Sequence, residues 1–224
     1  MLDQWLFRIA KSPLMGRLVG NAFRFCGWAI PVKKVGGGRA VIAFRHPQPA
    51  YENHVILSPK RAIRDLRQMA SEGLDGYFVK VWETAMDIRA AHPEYRDAFT
   101  LVANGGKRQE VQQVHFHLFT HHDMVSDNAT PGQPENVFCR DEDSCVFAHP
   151  APDWDVHFVT RPTRSEADPS AYFRSVLHSI DRLDAAFHIV AKGYSLVCQY
   201  RHQDGDPACP VFHIISGSKR KKAA

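Results

Sequence analysis

Gln109-Glu110-Val111-Gln112-Gln113-Val114-His115-Phe116-His117-Leu118-Phe119 is the stretch whose reading decides the fold. Successive side chains on a β-strand point to opposite faces. A strand over 109–119 therefore puts Val114, Phe116 and Leu118 on a core face. Gln109, Val111, Gln113, His115 and His117 share the other face, which lines up amides and two imidazoles as a site. Directly upstream, Asn104-Gly105-Gly106-Lys107-Arg108 is a polar loop whose glycines and cations can approach an anion closely. His-x-His is also a metal-ligand spacing, and His121 or His122 would supply a third nitrogen. No acidic residue follows at short range and the cysteines lie elsewhere, so the expectation is a site without metal or other cofactor.

A second segment gives the strand its context. Ala43-Phe44-Arg45-His46-Pro47-Gln48-Pro49-Ala50-Tyr51-Glu52-Asn53-His54-Val55-Ile56-Leu57-Ser58-Pro59-Lys60-Arg61 contains an apolar strand, a proline-bearing turn and a His-φ-φ-φ-x-Pro-Lys run, where φ is apolar. With Asn104-Gly105 and the Gln109 to Leu118 strand, this order resembles the histidine triad (HIT) superfamily of nucleotide hydrolases and transferases across roughly residues 40–120. The resemblance implies a nucleotide as small-molecule partner. It makes His115 the nucleophile, with His117 on the phosphate or leaving group and His54 supporting the cluster from a neighbouring strand. Phe44, His46, Asn104, Gly105 and Gln109 fall at nucleotide-contact positions, with Lys107 and Arg108 as nearby charge. A histidine that attacks phosphorus must hold a proton on its other nitrogen, which an acceptor fixes. The resemblance assigns that acceptor to the backbone carbonyl at the first triad position.

Three positions depart from the family pattern. The first triad histidine is Gln113, the acidic ribose contact is His46, and Glu110 stands where many members place a small hydroxyl residue. A carbonyl survives any side-chain change, so Gln113 can still orient His115. The expected activity is therefore nucleotidyl hydrolysis or transfer through a covalent nucleotidyl-histidine. The alternative is a nucleotide-binding or sensing protein with a degenerate triad.

The pattern has an internal echo. His54-Val55-Ile56-Leu57-Ser58-Pro59 is matched by His157-Phe158-Val159-Thr160-Arg161-Pro162. Leu101-Val102-Ala103-Asn104 is matched by Leu196-Val197-Cys198-Gln199, and Phe116-His117-Leu118-Phe119 by Phe212-His213-Ile214-Ile215. Val211 falls opposite His115 and Cys209 opposite Gln113, so the second copy lacks a nucleophile. Between the strands, Leu74, Phe78, Val81, Trp82, Ala85 and Met86 recur at helical spacing before His92-Pro93. A shorter helix covers Ile63, Leu66 and Met69. Asp168-Pro169 is a helix start for a run from Tyr172 to Val190 that Gly193 ends.

The expected fold class is α+β: two tandem HIT-like halves, antiparallel sheets with packed helices, forming an intramolecular pseudodimer. The expected organisation is an N-terminal helical segment at 1–37, a catalytic half at 38–122, a linker at 123–144, a degenerate half at 145–217 and a basic tail at 218–224. A chain of 224 residues with 44% hydrophobic content can build one large or two small cores, and a formal charge of +4 gives no case for nucleic acid. Five scattered cysteines without CxxC spacing read as reduced thiols, which points to a cytoplasmic protein. That context makes the Asn128-Ala129-Thr130 glycosylation sequon idle. The N-terminal segment carries an amphipathic pattern with interspersed Arg8, Lys11, Arg17 and Arg24, and it has no run of transmembrane length. Packing against the halves is the expectation for it, and peripheral membrane contact is the lesser reading.

Overall fold

The computed structural model describes residues 32–120, 124–125, 136–202 and 207–220. Its centre is one ten-stranded antiparallel sheet. In chain order the strands are β1 (Lys34–Gly37), β2 (Val41–Arg45), β3 (Glu52–Pro59), β4 (Ala98–Gly105), β5 (Phe116–Thr120), β6 (Val137–Arg140), β7 (Ser144–Ala148), β8 (Trp154–Pro162), β9 (Tyr194–Arg201) and β10 (Phe212–Lys219). The helices are α1 (Leu66–Ser71), α2 (Gly76–Ala91), α3 (Pro169–Phe187) and the short α4 (Ile189–Lys192).

The strand order across the sheet is β1-β2-β3-β5-β4-β9-β10-β8-β7-β6. Read inward from either edge, the connectivity is the same, with each strand of the second half standing for the one five earlier. The central β4–β9 pair is reciprocal: Val102 faces Val197, Leu101 faces Cys198 and Ala103 faces Leu196. Val102 also pairs with His117, and Val197 with His213. These registers are those of a two-fold axis through the Val102–Val197 pair.

Side-chain alternation sorts the sheet into two faces. Val41, Ala43, Val55, Leu57, Leu101, Ala103, Phe116 and Leu118 are buried beneath the helices in one large core. Phe78 of α2 joins the halves there. Its ring lies 4.5 Å from Phe173 of α3, 5.2 Å from Phe116 of β5 and 5.2 Å from Phe212 of β10. On the opposite face Ile42, Phe44 and Ile56 cluster beside the functional residues, while Val102, Phe119, Val125, Val197 and Ile215 pack near the axis.

The helix starts and stops follow their local chemistry. Asp168 caps α3 by accepting from the Ala171 N–H at 2.8 Å, with Pro169 in the first turn. The helical run does not continue unbroken to Gly193. His188 adopts a left-handed conformation (φ +54°), α4 follows, and Gly193 (φ +83°) closes it. The strand expected over 109–119 is also shorter than its alternation suggested. Only Phe116–Thr120 pairs with its neighbours, because the chain bends through Val111–Gln113. Strand β6 lies inside the stretch expected to be linker, and β1 inside the expected N-terminal segment. The helix expected before residue 32, and the tail beyond 220, lie outside the described residues. Among the described residues no helix is long and apolar enough to cross a membrane. The four described cysteines, Cys139, Cys145, Cys198 and Cys209, form no disulfide with one another.

Candidate active site

On the face away from the helices, Phe44, His46, Tyr51, His54, Asn104, Arg108, Glu110, Gln113, His115 and His117 line a cavity of about 440 Å³. That lies within the range of small-molecule sites. His54 comes from β3, His117 from β5 and Asn104 from β4. A bulge between Glu52 and Val55 interrupts the β3–β5 register just at His54. Asn53 within it takes a left-handed φ of +51°, a conformation asparagine tolerates. Its backbone carbonyl accepts from the Tyr95 hydroxyl, and its amide donates to Thr120 Oγ1 at 3.0 Å. The bulge aims His54 at His117.

Backbone groups assign the proton on every ring. His115 Nδ1 lies 2.8 Å from the Gln113 carbonyl, which can only accept. His115 therefore carries its proton at Nδ1 and presents a lone pair at Nε2. The Ala50 N–H donates to His54 Nδ1 at 3.3 Å, so the His54 proton sits at Nε2. That group donates to His117 Nδ1 at 2.9 Å, leaving the His117 proton at Nε2. The result is one imidazole with an open lone pair beside another with an N–H to donate in a hydrogen bond. Their ring centroids are 4.9 Å apart at an interplanar angle of 70°.

Burial keeps these rings neutral. It pushes His54 down to about 3, helped by the nearby His46 and His115 rings. It holds His117 well below its ordinary value, with His115, His54 and His46 adding to the effect. His115 is lowered by the same cause, partly opposed by its bond to the Gln113 carbonyl and by the Glu110 carboxylate.

Gln113 has a second part that its sequence position did not announce. Its buried side chain donates from Nε2 to the carbonyls of Pro59 (3.2 Å) and Arg61 (3.0 Å), and its Oε1 accepts from the Ile63 N–H at 3.2 Å. The amide knits the β3–α1 loop to the residue whose carbonyl orients His115.

His46 is not placed as a ribose-gripping carboxylate would be. It stacks on His54 with centroids 4.2 Å apart and planes 8° apart, and its Nδ1 accepts from the Gln48 N–H at 3.0 Å. Phe44 and Asn104 line the cavity. Gln109 does not reach it. Its Nε2 donates to the carbonyls of Arg64 (2.5 Å) and Val111 (2.8 Å), in a separate polar cleft on α1. Lys107 is exposed and outside the lining. Gly105 contributes by its lack of a side chain, since a Cβ there would lie 2.1 Å from the Tyr194 ring.

The second half repeats the imidazole arrangement. His149 stacks on His157 at 4.2 Å and 10°, and His157 Nε2 lies 2.9 Å from His213 Nδ1. The Ala151 and Asp153 N–H groups donate to His149 Nδ1 (3.1 Å) and His157 Nδ1 (3.3 Å). His149 as the counterpart of His46 was missed in the sequence, although His46-Pro47-Gln48-Pro49 and His149-Pro150-Ala151-Pro152 share a His-Pro-x-Pro signature. With Val211 opposite His115, this cluster has no ring with an open lone pair aimed at a substrate.

Each trio, His46–His54–His117 and His149–His157–His213, brings three ring nitrogens within 4.8 Å of one another. A metal would need lone pairs at those facing nitrogens. In His46, His54, His149 and His157 a backbone N–H already occupies the Nδ1 lone pair, which forces the proton of the neutral ring onto Nε2. The His54–His117 and His157–His213 pairs are hydrogen-bond relays and do not fit a metal cage, while the buried His149 Nε2 has no hydrogen-bond partner among the described residues. The other set with ligand spacing, His115, His117 and His121, includes a residue outside those described.

Known proteins share parts of this architecture. The family model of the HIT domain matches residues 29–124. No curated protein sequence matches the chain. A solved DUF4931 family protein from Bacillus cereus superposes with a TM-score of 0.55 at 11% identity, covering 85% of this chain and 88% of that one. A uridylyltransferase gives 0.51 at 13% identity, over 84% of this chain and 78% of that one. A histidine triad protein from Clostridium difficile is 20% identical over 47% of this chain and 93% of its own, with a TM-score of 0.42. At these identities the first two similarities are similarities of fold, and they extend over both halves.

Proposed function

The chain carries a histidine triad (HIT) domain at residues 29–124, and from that premise we propose that it is a nucleotidyl hydrolase or transferase working through a covalent histidine intermediate. The observation that carries the reading is the 2.8 Å bond from His115 Nδ1 to the Gln113 carbonyl, on a ring that lines the cavity. In the first step the His115 Nε2 lone pair forms a bond to the α-phosphorus of a nucleotide derivative. The bond from phosphorus to the leaving group breaks; the departing group accepts a hydrogen bond from the His117 Nε2–H and takes its proton from solvent. In the second step water or another acceptor attacks the same phosphorus, its proton passes to solvent, and the phosphorus–nitrogen bond breaks. Charge on the phosphoryl oxygens is met by amide donors and by the guanidinium of Arg108. The second half is a copy of the first that has lost the attacking ring at Val211 and now buttresses the live site.

The test is direct. The full chain is incubated with a panel of nucleoside 5′-phosphoramidates and dinucleoside polyphosphates, quenched in base and mapped by peptide mass spectrometry. A nucleotidyl mass on the peptide containing His115, absent from His115→Ala, is the expected result. Binding of nucleotides with neither adduct nor turnover would turn the assignment to a nucleotide-sensing protein.

A further inference from the structure

Behind Asn104 and Arg108, which line the cavity, stands a residue that the two-step chemistry does not use. Ser195 of β9 sits directly across from Asn104 of β4 in the central strand pair and is 2% exposed. Its Oγ accepts from Arg108 Nη1 at 3.1 Å and lies 2.7 Å from Asn104 Oδ1. Arg108 is itself held by the second half. Its Nη2 donates to the Gly217 carbonyl at 2.6 Å, and its guanidinium lies 4.8 Å from the Trp154 ring centroid.

These contacts have a fixed direction. A guanidinium can only donate, so Ser195 Oγ must accept from it and spend its own proton on Asn104. Asn104 then receives at Oδ1, which leaves the Nδ2 amide hydrogens for the cavity that Asn104 lines. We infer that Ser195, supplied by the second half, is a positioning residue that turns the Asn104 amide donor into the cavity and so selects substrates presenting an oxyanion there, such as a non-bridging phosphoryl oxygen. This rests on the nucleotidyl-transfer reading of the site. It also gives the half without a nucleophile a definite role. Its serine polarises an amide across the axis, and its Gly217 carbonyl and Trp154 seat the cation that sets the polarity. Ser195→Thr should serve equally well, because the strand position related to Ser195 by the axis already holds a buried threonine, Thr100.

The experiment measures affinity of the full chain for the four common ribonucleoside 5′-monophosphates and for the parent nucleosides by titration calorimetry. Ser195→Ala is expected to weaken the best monophosphate about ten-fold, the worth of one hydrogen bond to a charged group, with nucleoside affinity unchanged. Ser195→Thr should bind as the wild type does. In an Asn104→Ala background, Ser195→Ala should cost nothing further, because the amide it orients is gone. Asn104→Asp, which removes the donor at constant shape, should weaken the monophosphate at least as much while sparing the nucleoside. Undiminished monophosphate binding by Ser195→Ala or Asn104→Asp overturns the inference, as does an equal loss for nucleoside and monophosphate. A wild type that binds no nucleotide overturns this inference and the proposed function together. Normal wild-type binding with an inert Ser195→Ala overturns this inference alone.

Discussion

Replacement of His115 by alanine is expected to lower turnover by at least about 10⁴-fold while leaving substrate affinity within a few-fold of wild type. The asymmetry follows from where the ring sits in the scheme. Among the described imidazoles that line the cavity, only His115 presents a ring lone pair to it, and its proton is pinned by the Gln113 carbonyl. Its removal deletes the covalent route, whereas Phe44, Asn104 and Arg108 still line the pocket. His117→Ala should cost less, on the order of 10²–10³-fold, because it removes only the Nε2–H hydrogen bond to the charge that develops on the leaving group. The loss should shrink for substrates whose leaving groups need no such help. Steady-state kinetics on a good and a poor leaving group would check both. Equal losses for the two variants on both substrates would contradict the division of labour.

Acid should destabilise this protein steeply below about pH 6.5. Histidines in an unfolded chain titrate near 6.5, whereas burial lowers His54, His157 and His213 to about 3 in the fold. Between those values the unfolded chain binds more protons than the native one, so stability rises with pH there and is lost as pH falls. Above pH 7 all three are neutral in both states and contribute no slope. Each such group contributes up to about 1.4 kcal/mol per pH unit within the window. The hydrogen-bond relays oppose protonation for the same reason that they oppose a metal, because Nδ1 of His54 and of His157 already faces a backbone N–H. Urea midpoints at pH 7.5, 6, 5 and 4 should fall progressively, most steeply per pH unit below pH 6. A midpoint independent of pH from 7.5 to 4 would mean that the clusters are open to solvent.

The main residues of the candidate site could be named from the sequence because their signals are local. His54-Val55-Ile56-Leu57-Ser58-Pro59-Lys60 and Val114-His115-Phe116-His117-Leu118 fix strand faces within a few residues, and Phe116 and Leu118 do alternate against His117 in the sheet. The sequence echo pairs β3 with β8, β4 with β9 and β5 with β10, strands that hold matching places in the sheet order. Residues 109–113 did not follow their alternation. They have no strand partner, and the Gln113 amide spends itself on loop carbonyls that sequence cannot bring alongside. Strand β6 hid behind a stretch rich in Asp, Asn, Pro and Gly, whose punctuation reads as loop. The break at His188 depends on one residue taking a left-handed conformation that histidine seldom advertises. The Ser195–Asn104–Arg108 contacts join positions about ninety apart, and no periodicity encodes them.

The stereochemical course at phosphorus tests the central claim most directly. A substrate made chiral at the α-phosphorus with sulfur and oxygen isotopes would be turned over by the full chain and the configuration of the nucleotide product determined. Two in-line displacements, first by the His115 ring and then by the acceptor, predict net retention. Net inversion would mean that the acceptor attacks the substrate in a single step, with no nucleotidyl-histidine on the path.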